Sequence, residues 1–215
     1  MLIAVSLGWG APVVAVQLLL INVVADGIPG FSLSREKADS DIMQRQPLRK
    51  EDSLFSHGLG TKILIMSALM TGITLLGFAI GNFVMVSAAV TPSYEVGVTM
   101  AFLIIGISSV LHIFNVRSNE SVFKIGIASN RPLFFSALLS FGIIVALALI
   151  PPLAEIFYLV PLDGMHWLIV VVLSVMPLVF SEIVKAVKAT QRHRKEGQEP
   201  ANKSEKNSDG LRMGN

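Results

Sequence analysis

Apolar residues gather in five long runs, at about 12–31, 63–90, 97–115, 132–152 and 165–184. A bilayer core of about 30 Å needs roughly 20 mostly apolar residues per helix, and all five runs meet that length. The pattern predicts an all-α integral membrane protein with five transmembrane helices. The second run is long enough to tilt, to extend past the interface or to include a short bend. Residues 1–8 are apolar too, but they are too few to span and are followed by Trp9, Gly10 and Pro12. No basic segment precedes them as it would in a secretory leader, so they read as the end of another helix that begins upstream.

The basic residues set the orientation. Six of the 17 Lys and Arg lie between the first two runs or at their edge (Arg35, Lys37, Arg45, Arg49, Lys50, Lys62), three lie between the third and fourth (Arg117, Lys124, Arg131), and the other eight run from Lys185 to Arg212. The connections around 91–96 and 153–164 have none and carry Glu95, Glu155 and Asp163 instead. The positive-inside bias therefore places the loops at 32–62 and 116–131 and the C-terminus in the cytoplasm of a multi-pass cell-membrane protein. The N-terminus then starts outside, so the topology itself suggests a fragment with a preceding span. Residues 188–215, rich in Lys, Glu, Asn, Ser and Gly, cannot bury enough apolar area to offset their ordering entropy and read as a disordered tail after a membrane domain at 1–187. Its basic start could touch anionic lipid, although a solvated tail explains it as well.

Composition narrows the chemistry. Only 15% of the 215 residues are charged, against about 25% in soluble domains. With no cysteine, thiolate metal sites, disulfides and cysteine nucleophiles are excluded. No phosphate-binding Gly-rich loop, Gly-x-Ser-x-Gly or His-Glu-x-x-His occurs, no catalytic residue can be named, and nothing suggests nucleic acid.

Polar residues inside the runs are the candidates. Asp26 sits within the first run, where a carboxylate costs about 2.5–3.5 kcal/mol on insertion scales and marks a functional site by default. Asn22, four residues earlier, faces the same way on a helix. Gly27, Pro29 and Gly30 then predict an interruption of that helix, tolerated where protein or a watery cavity covers the freed carbonyls. A carboxylate, an amide and backbone oxygen suit a hard cation such as calcium or sodium. Alternatively, Asp26 is solvated near the interface and merely ends the helix. In the third run, Ser109, His112 and Asn115 share a face, and packing or interhelical hydrogen bonding explains them best. Gly77 and Gly81 form a small-xxx-small pair that permits close helix contact. Glu182 and Lys185 read as a structural pair at the cytoplasmic end.

The segment from Val16 to Pro29, with Asn22, Ala25, Asp26, Gly27 and Pro29 at fixed spacing, resembles the sixth membrane helix of calcium-type P-type ATPases, where Asn-x-x-Thr-Asp-Gly-x-Pro is the hallmark. Downstream, Asp41-Ile42-Met43-Gln44-Arg45-Gln46-Pro47 resembles the Asp-Ile-Met-x-Arg-x-Pro element of the loop that follows it. Asn115 to Ser118 resembles the end of the eighth helix, and the segments from Pro161 to Trp167 and Pro177 to Lys185 resemble the tenth. The resemblance implies helices six to ten of a cation pump of bacterial type, with residues 1–8 closing the fifth. It implies that Asn22 and Asp26 bind the transported cation (calcium, sodium or another). Ala25 stands where calcium pumps usually have Thr, and Ser109 stands near the place of an eighth-helix Glu, which fits one cation site better than two.

The phosphorylated Asp-Lys-Thr-Gly-Thr motif and the nucleotide domain are not in this sequence. ATP and magnesium would act only through upstream domains, and the chain alone is expected neither to hydrolyse ATP nor to drive transport. The expected partners are the lipid bilayer and the upstream half of a P-type ATPase or an intact pump. Two other readings remain: a stand-alone regulatory membrane protein derived from such a pump, and a secondary cation transporter, for which no internal repeat is visible.

Overall fold

A computed structural model describes residues 1–35, 59–117 and 130–187. The Asp41–Pro47 element, most of both basic loops and the tail at 188–215 lie outside these residues. Among the described residues all regular structure is helical: α1 (Leu2–Ser6), α2 (Ala15–Leu33), α3 (Leu59–Phe83), α4 (Tyr94–Val116), α5 (Arg131–Leu149), α6 (Pro151–Ile156) and α7 (Gly164–Val187). Five of these, α2, α3, α4, α5 and α7, are long and apolar enough to cross a membrane, one for each apolar run.

The bundle is built around α4, in which 72% of the most apolar 18-residue window is buried, against 28–33% for the other four spans. Its start is fixed by Ser93, whose Oγ accepts the Val96 N–H at 3.2 Å, a side-chain N-cap. Against it, α3 comes in as close as glycine allows. A Cβ on Gly81 would lie 2.9 Å from the Gly97 backbone, and one on Gly97 would lie 2.8 Å from the Phe78 carbonyl oxygen. The Gly77–Gly81 pair thus makes the contact expected of it, with no hydrophobic force needed beyond dense packing.

That approach also sets where α3 stops. The helix ends at Phe83, before the apolar run does, and the chain turns back so that the Ser93 N–H takes the Gly81 carbonyl at 3.1 Å. Hydropathy cannot register this end, because residues 84–90 stay mostly apolar.

The end of the bundle that carries this turn is tied by polar links. Tyr94 donates its hydroxyl to the Ala11 carbonyl at 2.7 Å, and its ring lies against Gly10, which has φ +86° and no room for a Cβ. Fully buried Gln17 accepts the Val14 N–H and donates to the Phe157 carbonyl at 2.9 Å. Thr99 Oγ1 donates to the Glu95 carbonyl and accepts the Val160 N–H. Asp163 caps α7 by accepting the His166 N–H at 3.0 Å, and its carboxylate also meets the His166 ring. The Ser87 hydroxyl, with those His166 contacts, holds the Asp163 carboxyl down at about 2. At the opposite end, Lys185 pairs with Glu182 at 3.4 Å, and Asn115 reaches the Pro177 carbonyl at 3.5 Å.

Candidate cation site in the first span

The first span changes its hydrogen bonding midway. Residues Ala15–Leu20 are α-helical, Ile21–Gly27 form a π-helical segment, and Ile28–Leu33 return to α. The break expected near Gly27–Gly30 is replaced by a widened π turn that ends at Gly27. The helix continues as α through Pro29 and Gly30 to Leu33. Proline is compatible with this because it falls in the first turn of the resumed α segment, where its fixed φ suits the helix. A π segment inside an α-helix is rare and occurs often at functional sites.

The same segment sorts its side chains. Ile21, Val24 and Ala25 are buried against the bundle, whereas Asn22, Val23, Asp26 and Gly27 are exposed. Asn22 and Asp26 therefore share one face, and that face looks away from the core of this chain. Ser109, on α4, lies near the Asp26 carboxylate. Three of the sequence candidates thus gather into one polar patch: an amide, a carboxylate and a hydroxyl, all oxygen donors suited to a hard cation. Ala25 does not join them, since it is 1% exposed and packs into the core. Among the described residues no three His, Asp or Glu side chains converge as a metal-holding group, so the patch supplies part of a coordination sphere.

Sequence reasoning missed the residues that support this patch. Ser140, on α5, is fully buried and donates to the Val24 carbonyl at 2.6 Å. Its only sequence signal is its place on the buried stripe of α5 formed by Leu133, Ser136, Ala137, Ser140, Ile144 and Leu147. Gln17 was visible as a polar residue in the first run, but its partner lies 140 residues away.

A multi-pass helical bundle with an acidic residue inside an apolar, π-distorted helix is what a membrane protein that handles ions would present. The chain matches the family model described as "Cation transporting ATPase, C-terminus" over residues 10–187 and belongs to that family. It is 34% identical over 198 residues to calcium-transporting ATPase 1 of Bacillus cereus, covering 86% of this chain and 22% of that protein. Against calcium-transporting ATPase 1 of Lactococcus lactis the identity is 30%, over 86% of this chain and 20% of the relative. Against calcium-transporting ATPase type 2C member 2 of rat it is 30%, over 81% and 18%. The chain thus spans about a fifth of the length of these relatives, and it corresponds to the C-terminal membrane part of a P-type cation pump.

Proposed function

We propose that the chain supplies the cation-binding sixth helix, and the scaffold behind it, to a calcium-transporting P-type pump. The observation that carries this reading is the shared exposed face of Asn22 and Asp26 on a π-helical segment, backed by Ser109. A site whose carboxylate faces away from its own bundle is completed by oxygen ligands from elsewhere, here an upstream half. The relatives transport calcium by name, and one carboxylate with one amide fits a single calcium ion as cargo. ATP and magnesium act through the upstream domains, which carry the phosphoryl chemistry.

The described basic residues Arg35, Lys62, Arg117, Arg131 and Lys185 lie at or next to helix ends. This end faces the cytoplasm of the cell membrane by the positive-inside bias, and the Asp163–His166 end faces outward.

The test is ATP-dependent calcium uptake into vesicles, comparing the chain alone with the chain joined to a matching upstream half. Uptake in the joined form only, lost in Asp26→Asn, supports the reading. Uptake unchanged by Asp26→Asn removes Asp26 from the ion path. No uptake in either form, with correct insertion, favours a regulatory membrane protein derived from a pump.

A further inference from the structure

The Val24 carbonyl is left without a backbone donor by two features of the sequence around it. In the π register the donor four residues on, the Ile28 N–H, is already given to the Val23 carbonyl. The donor five residues on would be residue 29, which is proline and has no N–H. An orphaned carbonyl inside an apolar bundle is costly, and in lipid no water takes its place.

Ser140 meets that need. Most of the other buried hydroxyls for which a bond is seen donate within their own helix: Ser136 to the Leu133 carbonyl, Ser108 to the Ile105 carbonyl, Thr99 to the Glu95 carbonyl. This is the ordinary local bond of serine and threonine in helices. Ser140, fully buried, instead donates across helices to the Val24 carbonyl at 2.6 Å, a residue 116 positions away. Ser136 and Ala137, beside it on the same stripe, keep α5 thin enough to bring the hydroxyl there.

Resting on the cation-site reading above, we propose that Ser140 is a positioning residue: its hydroxyl replaces the N–H that Pro29 lacks and pins the π segment that presents Asn22 and Asp26. Without it, tightening the segment to α hands the Ile28 N–H to the Val24 carbonyl, while Pro29 leaves the Ala25 carbonyl without its donor four residues on. That change rotates the residues before it relative to those after it, and it moves Asn22 and Asp26 together off their present face. Ser140 touches neither the cation nor its ligands, and it acts through the backbone.

The test is a double-mutant cycle between Ser140→Ala and Pro29→Ala, because alanine at 29 restores the missing donor. Labelling with carbonyl-13C valine and 15N alanine marks three Val–Ala bonds in the chain, among them Val24–Ala25, so solid-state NMR of the full chain in lipid vesicles reads the Val24 carbonyl directly. Ser140→Ala is expected to move that resonance when residue 29 is proline and to leave it in place when residue 29 is alanine. An unmoved resonance in the first case, or an equal shift in both, overturns the proposal. In the joined pump, Ser140→Ala is expected to raise the calcium concentration for half-maximal uptake roughly fivefold or more while sparing the maximal rate, and Pro29→Ala is expected to suppress that rise. A loss of maximal rate with unchanged half-saturation would mark Ser140 as structural only and overturn the positioning role. If the wild-type joined form takes up no calcium, the pump reading fails while the NMR cycle still decides whether Ser140 holds the segment.

Discussion

The third and first spans, α4 and α2, put similar resources to opposite use. Both are about twenty residues long and carry polar side chains at membrane depth. In α4, 72% of the most apolar window is buried; in α2, 28% is. Two buried polar groups of α4 hold neighbours: Thr99 binds the segment before α7, and the Asn115 amide nitrogen binds α7 itself. In α2 the buried side is aliphatic around Val24 and Ala25, and the polar groups Asn22 and Asp26 face out. The helix at the centre of the bundle thus spends polar groups on its neighbours, whereas α2 turns Asn22 and Asp26 away from them. Ser109 and Ser140 stand where the two uses meet, since each lies on a scaffold helix and reaches the π segment of α2.

This contrast can be broken in several places. The largest effect is expected at Asp26: Asp26→Asn should abolish calcium uptake by the joined pump yet leave the unfolding midpoint of the chain in detergent nearly unchanged. A large loss of stability there would mean that Asp26 is part of the scaffold. Next comes Gly97→Val in α4. Its Cβ would meet the Phe78 carbonyl at 2.8 Å, and because backbone cannot step aside, overpacking should cost about 1–3 kcal/mol, read from denaturant unfolding in mixed micelles. Gly142→Ala on α5 is the control. Nothing lies within 4 Å of its added Cβ, so helix propensity should leave stability equal or raise it by up to about 1 kcal/mol.

Gln17→Leu sharpens the distinction inside α2 itself. It removes the acceptor of Val14 and the donor to Phe157, so it should destabilise by about 1–2 kcal/mol without a selective change in calcium half-saturation. Such a change would extend the site to the buried side of the helix.

The smallest effect is expected at Asp163. Its carboxyl is depressed from 3.8 to about 2 by the Ser87 hydroxyl and by the His166 N–H and ring. A depressed carboxyl contributes stability that is fully present above its unfolded value and is lost as pH falls through the folded value. Unfolding between pH 5 and pH 2 should therefore become less pH-dependent in Asp163→Asn, the stability of the wild type falling below about pH 4. An identical pH profile in both would show that the cap makes no ionic contribution.

Much of this was legible in the chain. Five apolar runs against a fixed bilayer thickness gave five spanning helices, because the transfer of each side chain to lipid depends little on its partners. The spacing of Asn22 and Asp26 placed them on one face, and Gly77 and Gly81 announced a close helix contact, which the structure gives to α4. The motif from Asn22 to Pro29 pointed to the family to which the chain belongs. Gly27, Pro29 and Gly30 located a disturbance in the first helix, but not its form.

The form was decided by tertiary structure. Whether α2 unwinds or widens depends on where a freed carbonyl finds a donor, and that donor is Ser140, on another helix. The end of α3 at Phe83, the inward turn of Ala25 and the meeting of Ser109 with Asp26 are of the same kind. Hydropathy and periodicity sum over single positions along one segment, so they fix the lengths and faces of helices. A hydrogen bond or a steric limit between segments is a property of pairs, and it exists only once packing has brought the pair together.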